Sequence, residues 1–259
     1  MAVRPVDALI ARIRATADPK RAEGSLWFFK TAPGQYGHGD QFLGLTVPQM
    51  REIARDGDAL TLRDLAKLLD SPWHEERLIA LLSLVRRHEK RAEERDAIYE
   101  LYLSKTDRIN NWDLVDASAP QIVGPHATRA TLTKLARSQS LWERRIAIIA
   151  TQYLIRRNEF AETLRIARIL LHDEHDLIHK AVGWMLREVG KRDQEVEETF
   201  LREHAHTMPR TMLRYAIERF PEELRKSYLA ARSLATGRTA LPPPRARRAA
   251  VPPRTTRRR

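Results

Sequence analysis

Apolar residues recur along this chain at intervals of three and four, the spacing that gives an α-helix one buried face. Residues 5–16 and 20–31 carry the first two such patterns, the second including Leu26-Trp27-Phe28-Phe29. A polar stretch with three glycines follows, Ala32 to Asp40, and Pro48 then suits the first position of a further helix. From there short helical patterns succeed one another. Turns are expected near Asp70-Ser71-Pro72, His88-Glu89, Thr106-Asp107, Gly124-Pro125, Ser138-Gln139, His172-Asp173, Gly190-Lys191 and Met208-Pro209. No segment alternates as a strand would, so the expected fold class is all-α.

A small residue sits within these patterns at Ala80, Ala117, Ala147, Gly183 and Ala216, at successive intervals of 37, 30, 36 and 33. Helix pairs recurring at such a period mark an α-solenoid, in which small residues let adjacent helices approach. The expectation is a superhelix of HEAT-like helical repeats, about six to seven helix pairs, with a concave basic groove. The pattern stops near Ser233, which divides the chain into a repeat domain, 1–233, and a tail, 234–259. Prolines and arginines alternate in that tail, a composition expected to stay disordered. Its two readings are salt-sensitive contact with phosphates and a solubilising arm.

Charge refines this picture. Of the net +12, +8 lies between Arg238 and Arg259, eight arginines with no lysine and no acid, leaving +4 for the rest. That excess is too small to indicate nucleic acid by charge alone. With no cysteine there is no disulfide, thiol nucleophile or cysteine zinc site. No apolar run is long enough for a membrane span, and the start lacks a signal core, so a cytoplasmic protein is expected. The glycine-bearing loop lacks the Gly-Lys-Ser/Thr ending of a phosphate loop, which leaves a surface connection as its reading.

The stretch Asn110-Asn111-Trp112-Asp113-Leu114-Val115-Asp116 stands out. Either asparagine can cap the helix that follows. Leu114, Val115, Ser118 and Ile122 share its core-facing stripe, whereas Trp112 and Asp116, four apart, share a different face. Pro120 favours a kink. An isolated Trp-x-x-x-Asp is usually a groove edge beside a surface ion pair, so the other tryptophans matter. Trp142 falls on the stripe of Ile146, Ile149 and Tyr153 and is expected in the core. Trp184 lies about 120° from the stripe of its own helix, among Lys180 and Arg187. Arg145 is placed to support a neighbouring group or to hold a phosphate, and Arg144 points further outward. His172, His175 and His179 lack a third zinc ligand in a recognisable motif, so no metal site is expected. If consecutive repeats align, Trp112, Asp116, Arg145, Trp184 and Lys180 come to one side of the solenoid.

The sequence resembles the DNA alkylation repair family of HEAT-like-repeat DNA glycosylases, the AlkD type. The resemblance is carried by Phe28-Phe29-Lys30-Thr31, the Tyr36-to-Leu45 stretch, Val47-Pro48, Asn111 to Asp116, Leu141-Trp142-Glu143-Arg144-Arg145 and Lys180-Ala181-Val182-Gly183-Trp184. It covers roughly residues 5–232. It implies excision of N3- or N7-alkylated purines from duplex DNA without a base-flipping pocket; no cofactor is expected, and nothing in the sequence demands more than a monomer. It assigns the catalytic carboxylate to Asp116, flanking aromatics to Trp112 and Trp184, and an essential arginine to Arg145. Phe28, Lys180, Arg187 and Arg144 are the implied DNA contacts, with Phe28 standing where a tyrosine is usual. The alternatives are a noncatalytic DNA-binding repeat protein and a protein-binding scaffold.

Overall fold

The computed structural model describes residues 4–231, which are helical with no strand, a single isolated bridge joining Gln41 to Trp73. The expected tail, 234–259, lies outside the described residues. In chain order the helices are α1 (Pro5–Ala15), α2 (Pro19–Phe28), α3 (Val47–Ile53), α4 (Leu62–Leu69), α5 (His74–Lys90), α6 (Arg95–Ser104), α7 (Trp112–Asp116) and α8 (Ala119–Ile122). They continue with α9 (Arg129–Ala136), α10 (Leu141–Ala150), α11 (Gln152–Arg156), α12 (Ala161–Ile169), α13 (Asp176–Gly190), α14 (Gln194–His204), α15 (Arg210–Ala216) and α16 (Glu222–Ala231).

Short polar side chains start many of these helices by accepting the orphan backbone N–H groups of the first turn. Asp18, Thr61, Thr128, Ser140 and Asp193 do so for α2, α4, α9, α10 and α14. Helices α5, α7–α8, α10, α13 and α15 pack successively on one another as an inner layer. Helices α4 and α6 flank α5, α9 and α12 flank α10, and α14 flanks α13. This is an α-solenoid, each repeat burying the apolar face that it cannot bury alone.

Ala80, Ala147, Gly183 and Ala216 lie buried in the inner layer. A Cβ on Gly183 would run into the Met212 carbonyl and the Tyr215 Cβ, so the crossing of α13 and α15 depends on that missing atom. Ala117 departs from the set. It sits half-buried at the break between α7 and α8, which Pro120 enforces from the second position of α8. Two other expectations change. The second helix ends at Phe28 rather than residue 31, because Lys30 adopts a left-handed backbone (φ 55°). The turn expected near His88–Glu89 comes slightly later, at Arg91, with α5 running on to Lys90. The polar residues there are buried in partnerships: Arg87 holds Glu94 through two nitrogens at 2.7 Å, and His88 Nε2 meets His126 Nε2 at 3.0 Å.

Candidate functional site

Asn111 is the residue that sets the site. Its fully buried side chain accepts from the Trp112 N–H (2.8 Å) and starts α7. The next carboxylate, Asp113, accepts from the Leu114 N–H at 2.8 Å and meets His74 Nε2 at 2.8 Å. His74 is itself buried, clustered with the mutually stacked rings of Phe29 (4.8 Å) and Phe42 (4.9 Å), and its Nδ1 lies 3.5 Å from Asp40. Arg77 closes the network, donating to Asp40 at 2.7 Å and to the Ser71 carbonyl at 3.0 Å. Burial alone would lower the pKa of His74. The carboxylates of Asp113 and Asp40 more than offset it and hold the imidazole protonated, at about 9. Two acids and two cations, nearly sealed from water, thus fix the turn from which Trp112 projects. Phe29, stacked on that network, packs its ring 5.7 Å from the Trp112 indole.

Asp116 ends the same helical turn, with 18% of its side chain exposed. Arg145, midway along α10, grips it in a fork: Nε donates to Oδ1 at 2.9 Å and Nη2 to Oδ2 at 2.8 Å. The remaining Nη1 donates to the Leu177 carbonyl at 2.6 Å. With each of its three nitrogens already engaged, Arg145 supports its neighbour Asp116. Burial pushes the Asp116 carboxyl above the ordinary aspartate range, Arg145 pulls it back, and Asp113 adds to the rise.

Asp116 opens into a cavity of about 550 Å³ that also exposes Phe28, Tyr36, Trp112, Arg145, Lys180, Trp184 and Arg187. The residues singled out from three repeats therefore meet in one place, a cavity whose walls carry one carboxylate and two indoles. Phe28 is half exposed, its ring 6.0 Å from that of Trp112. Trp184 donates to Glu188 at 3.0 Å. Tyr36 comes from the loop read as a plain surface connection. Gly34 and Gly39 take left-handed backbones (φ 79° and 89°), and Gly37 packs against the Phe29 carbonyl, where a Cβ would collide. The loop thereby folds back and delivers the Tyr36 ring to the cavity, edge-on to Trp142 at 6.0 Å. Burial raises the Tyr36 phenol pKa.

The expected cationic rim differs in detail. Lys180 lines the cavity but reaches back to Asp176 at 2.7 Å. Arg187 lines it as well, bonded to Glu218 on the next repeat. Arg144 is absent from it. Its guanidinium turns the other way, to Asp173 at 2.6 Å and the carbonyls of Ser138 and Gln139, where it ties the turn before α10 to the one before α13. Arg144 is a structural clamp and not part of the cleft.

A second cavity, also about 550 Å³, adjoins the first and shares Asp116 and Trp184 with it. It is lined by Arg51, Arg55, Arg86 and Arg156, cations that periodicity alone did not single out. Arg51 and Arg55 offered one signal, a spacing of four residues near the end of α3, but nothing tied them to Asp116. The first cavity is lined by α7, by Arg145 of α10 and along α13, and the second by the C-terminal half of α5 and by α11. Among the described residues no group of three or more His, Asp or Glu is arranged to hold a metal ion. His175 caps α13 by accepting from the Leu177 N–H, and His179 meets the Asp173 carbonyl. No helix of the described residues is long and apolar enough to cross a membrane.

A family model described as DNA alkylation repair enzyme matches residues 9–220. A solved structure described as "Predicted DNA alkylation repair enzyme from Enterococcus faecalis" shares the fold, with a TM-score of 0.63 and 18% identity over 80% of this chain and 98% of its own. No curated protein matches the chain.

Proposed function

The chain belongs to the DNA alkylation repair enzyme family, and from that premise we propose that it is a monofunctional DNA glycosylase for cationic purines alkylated at N3 or N7 in duplex DNA. The observation that supports this reading is the ionisable carboxylate of Asp116, open to the cleft that Trp112 and Trp184 also line and held in place by Arg145.

The chemistry follows from the charge of the substrate. An alkylated purine is already a cation, so when its C1′–N9 bond breaks the electron pair stays with the base, which leaves neutral. No general acid is required. Positive charge passes to the sugar as an oxocarbenium-like centre, which a fixed carboxylate stabilises electrostatically. Water then adds to C1′ and gives up a proton, which Asp116 can accept or direct to solvent. The indole faces favour a cationic nucleotide, each such contact contributing roughly 0.5–2 kcal/mol. An open cleft without a deep enclosure suits a lesion that remains in the helix, in contrast to enzymes that extrude the base.

The test is release of 7-methylguanine or 3-methyladenine from methylated duplex DNA. Wild type should release base, and Asp116→Asn should lose release by about two orders of magnitude or more while retaining its melting behaviour and DNA affinity. Equal background release by the two proteins would refute the enzymatic reading. A second reading, a noncatalytic DNA-binding protein, draws on the engagement of both Asp116 oxygens by Arg145, as in a purely structural ion pair. It predicts DNA binding with no base release at all.

A further inference from the structure

The two cavities that meet at Asp116 differ in what their cations are doing. In the aromatic cavity nearly every positive side chain already faces an acid: Arg145 faces Asp116, Lys180 faces Asp176, and Arg187 faces Glu218. Lys30 is the exception, and its ammonium lies over the Trp27 ring, 4.6 Å from the centroid. In the neighbouring cavity Arg51 and Arg55 are exposed and, among the described residues, make neither an ion pair nor a side-chain hydrogen bond. Arg156 bonds only the neutral Gln152, at 2.9 Å. Arg86 gives one nitrogen to Asp58 at 2.9 Å, and its buried Nε has no partner. Glu89 is the single acid on that wall besides Asp116, whose charge Arg145 already balances.

Four guanidinium groups gathered with few acids to balance them repel one another, and an anion relieves that repulsion. Each also presents a fork of donors that matches a phosphate. Because the cavity begins at Asp116 and Trp184, an anion held there would sit next to whatever sugar faces Asp116. We propose that the Arg51/Arg55/Arg86/Arg156 cavity is the phosphodiester-binding site of this protein, gripping the backbone that flanks the damaged nucleotide on one side. The inference rests on reading the aromatic cavity as the glycosidic site, and it moves the phosphate contacts away from Lys180, Arg187 and Arg144. The strand would cross the threshold formed by Asp116 and Trp184, with its damaged base on the aromatic side and its phosphates on the arginine side.

The experiment uses the full-length chain and a fluorescein-labelled, unmodified duplex, with affinity read by anisotropy across a salt series. Each phosphate contact contributes a slope of about 0.9 to the dependence of log affinity on log salt. Arg51→Ala/Arg55→Ala should weaken binding by about tenfold near 0.1 M salt and flatten the slope by nearly two. Adding Arg156→Ala should extend both effects, whereas Lys180→Ala should change them by less than a third as much. Arg51 and Arg55 touch no partner, so their loss leaves the fold intact, which the melting curve checks. An unchanged slope in the Arg51/Arg55 variant, or a larger loss for Lys180→Ala, would overturn the assignment. Base release by the wild type is measured separately. Its absence, with binding still lost in the arginine variant, would refute the glycosylase reading and leave the phosphate site standing.

Discussion

A carboxylate taken out of water tends to pick up a proton, and Asp116 can stabilise positive charge only while it is ionised. The fork of Arg145 is the countervailing influence, and the balance between burial and that cation sets where the carboxyl titrates. The rate of base release should therefore fall on the acid side through a pKa above the ordinary aspartate range. Arg145→Gln keeps a hydrogen-bonding side chain but removes the charge, and should move that acid limb to higher pH. The measurement is kcat/KM against pH for both proteins on one methylated duplex. A limb that stays in place would show that the rate does not follow Asp116 ionisation. At this scale the sequence was informative where local spacing suffices: Trp112 and Asp116 lie four apart, and Trp184 falls off its stripe. It was uninformative for Tyr36, whose arrival in the cleft depends on two left-handed glycines and one close backbone approach at a third, and on no periodicity. Arg144 misled for a related reason, since an outward position says nothing about an acid on the next repeat.

Single helices here are anchored by polar groups buried beneath them, and the strongest case is the short α7. His74, Asp40, Arg77 and Asp113 lock the turn that carries Trp112. This set was invisible beforehand because its members come from three segments and each alone reads as a solvated charge. The network makes stability depend on pH. His74 titrates near 9 in the folded chain and near 6.5 when unfolded. Its contribution is thus complete below about pH 6.5 and is lost as pH rises through 9, amounting at most to an order of 3 kcal/mol. Glu197 acts in the same direction. Burial against α13 raises its carboxyl to about 9, so the folded state is increasingly penalised from near pH 4.5 upward. The melting temperature of the wild type should accordingly decline between pH 6.5 and 9. In His74→Gln that decline should be shallower, with only the Glu197 part remaining, although the variant starts from a lower melting temperature. Parallel curves for the two proteins would mean that His74 does not carry a proton in the folded state.

Across the whole molecule the repeats do more than bury a core. By placing α7, α10 and α13 along one flank and α5 and α11 along the other, the solenoid gives its cleft two unlike sides. The period of small residues revealed the solenoid, because helix contacts impose a pattern on each repeat. It could not reveal the two-sided cleft, because Arg51, Arg55, Arg86 and Arg156 occupy different positions in different repeats and share only a location in space. One flank carries rings and balanced charge, the other largely unbalanced arginines. A duplex lying across them should therefore need its backbone more on one side of the lesion than on the other. Two short duplexes, each with the damaged nucleotide about two base pairs from one end, truncate opposite flanks. Phosphates lost from the arginine side remove charge-assisted contacts, each contributing its share to affinity and salt dependence, whereas those lost from the aromatic side remove few. Base release at limiting enzyme should then differ between the two substrates by on the order of tenfold, and the gap should narrow in Arg51→Ala/Arg55→Ala as the favoured substrate falls toward the other. Equal rates for both truncations would mean that the two flanks hold DNA alike, and the division of labour between the cavities would fail with that result.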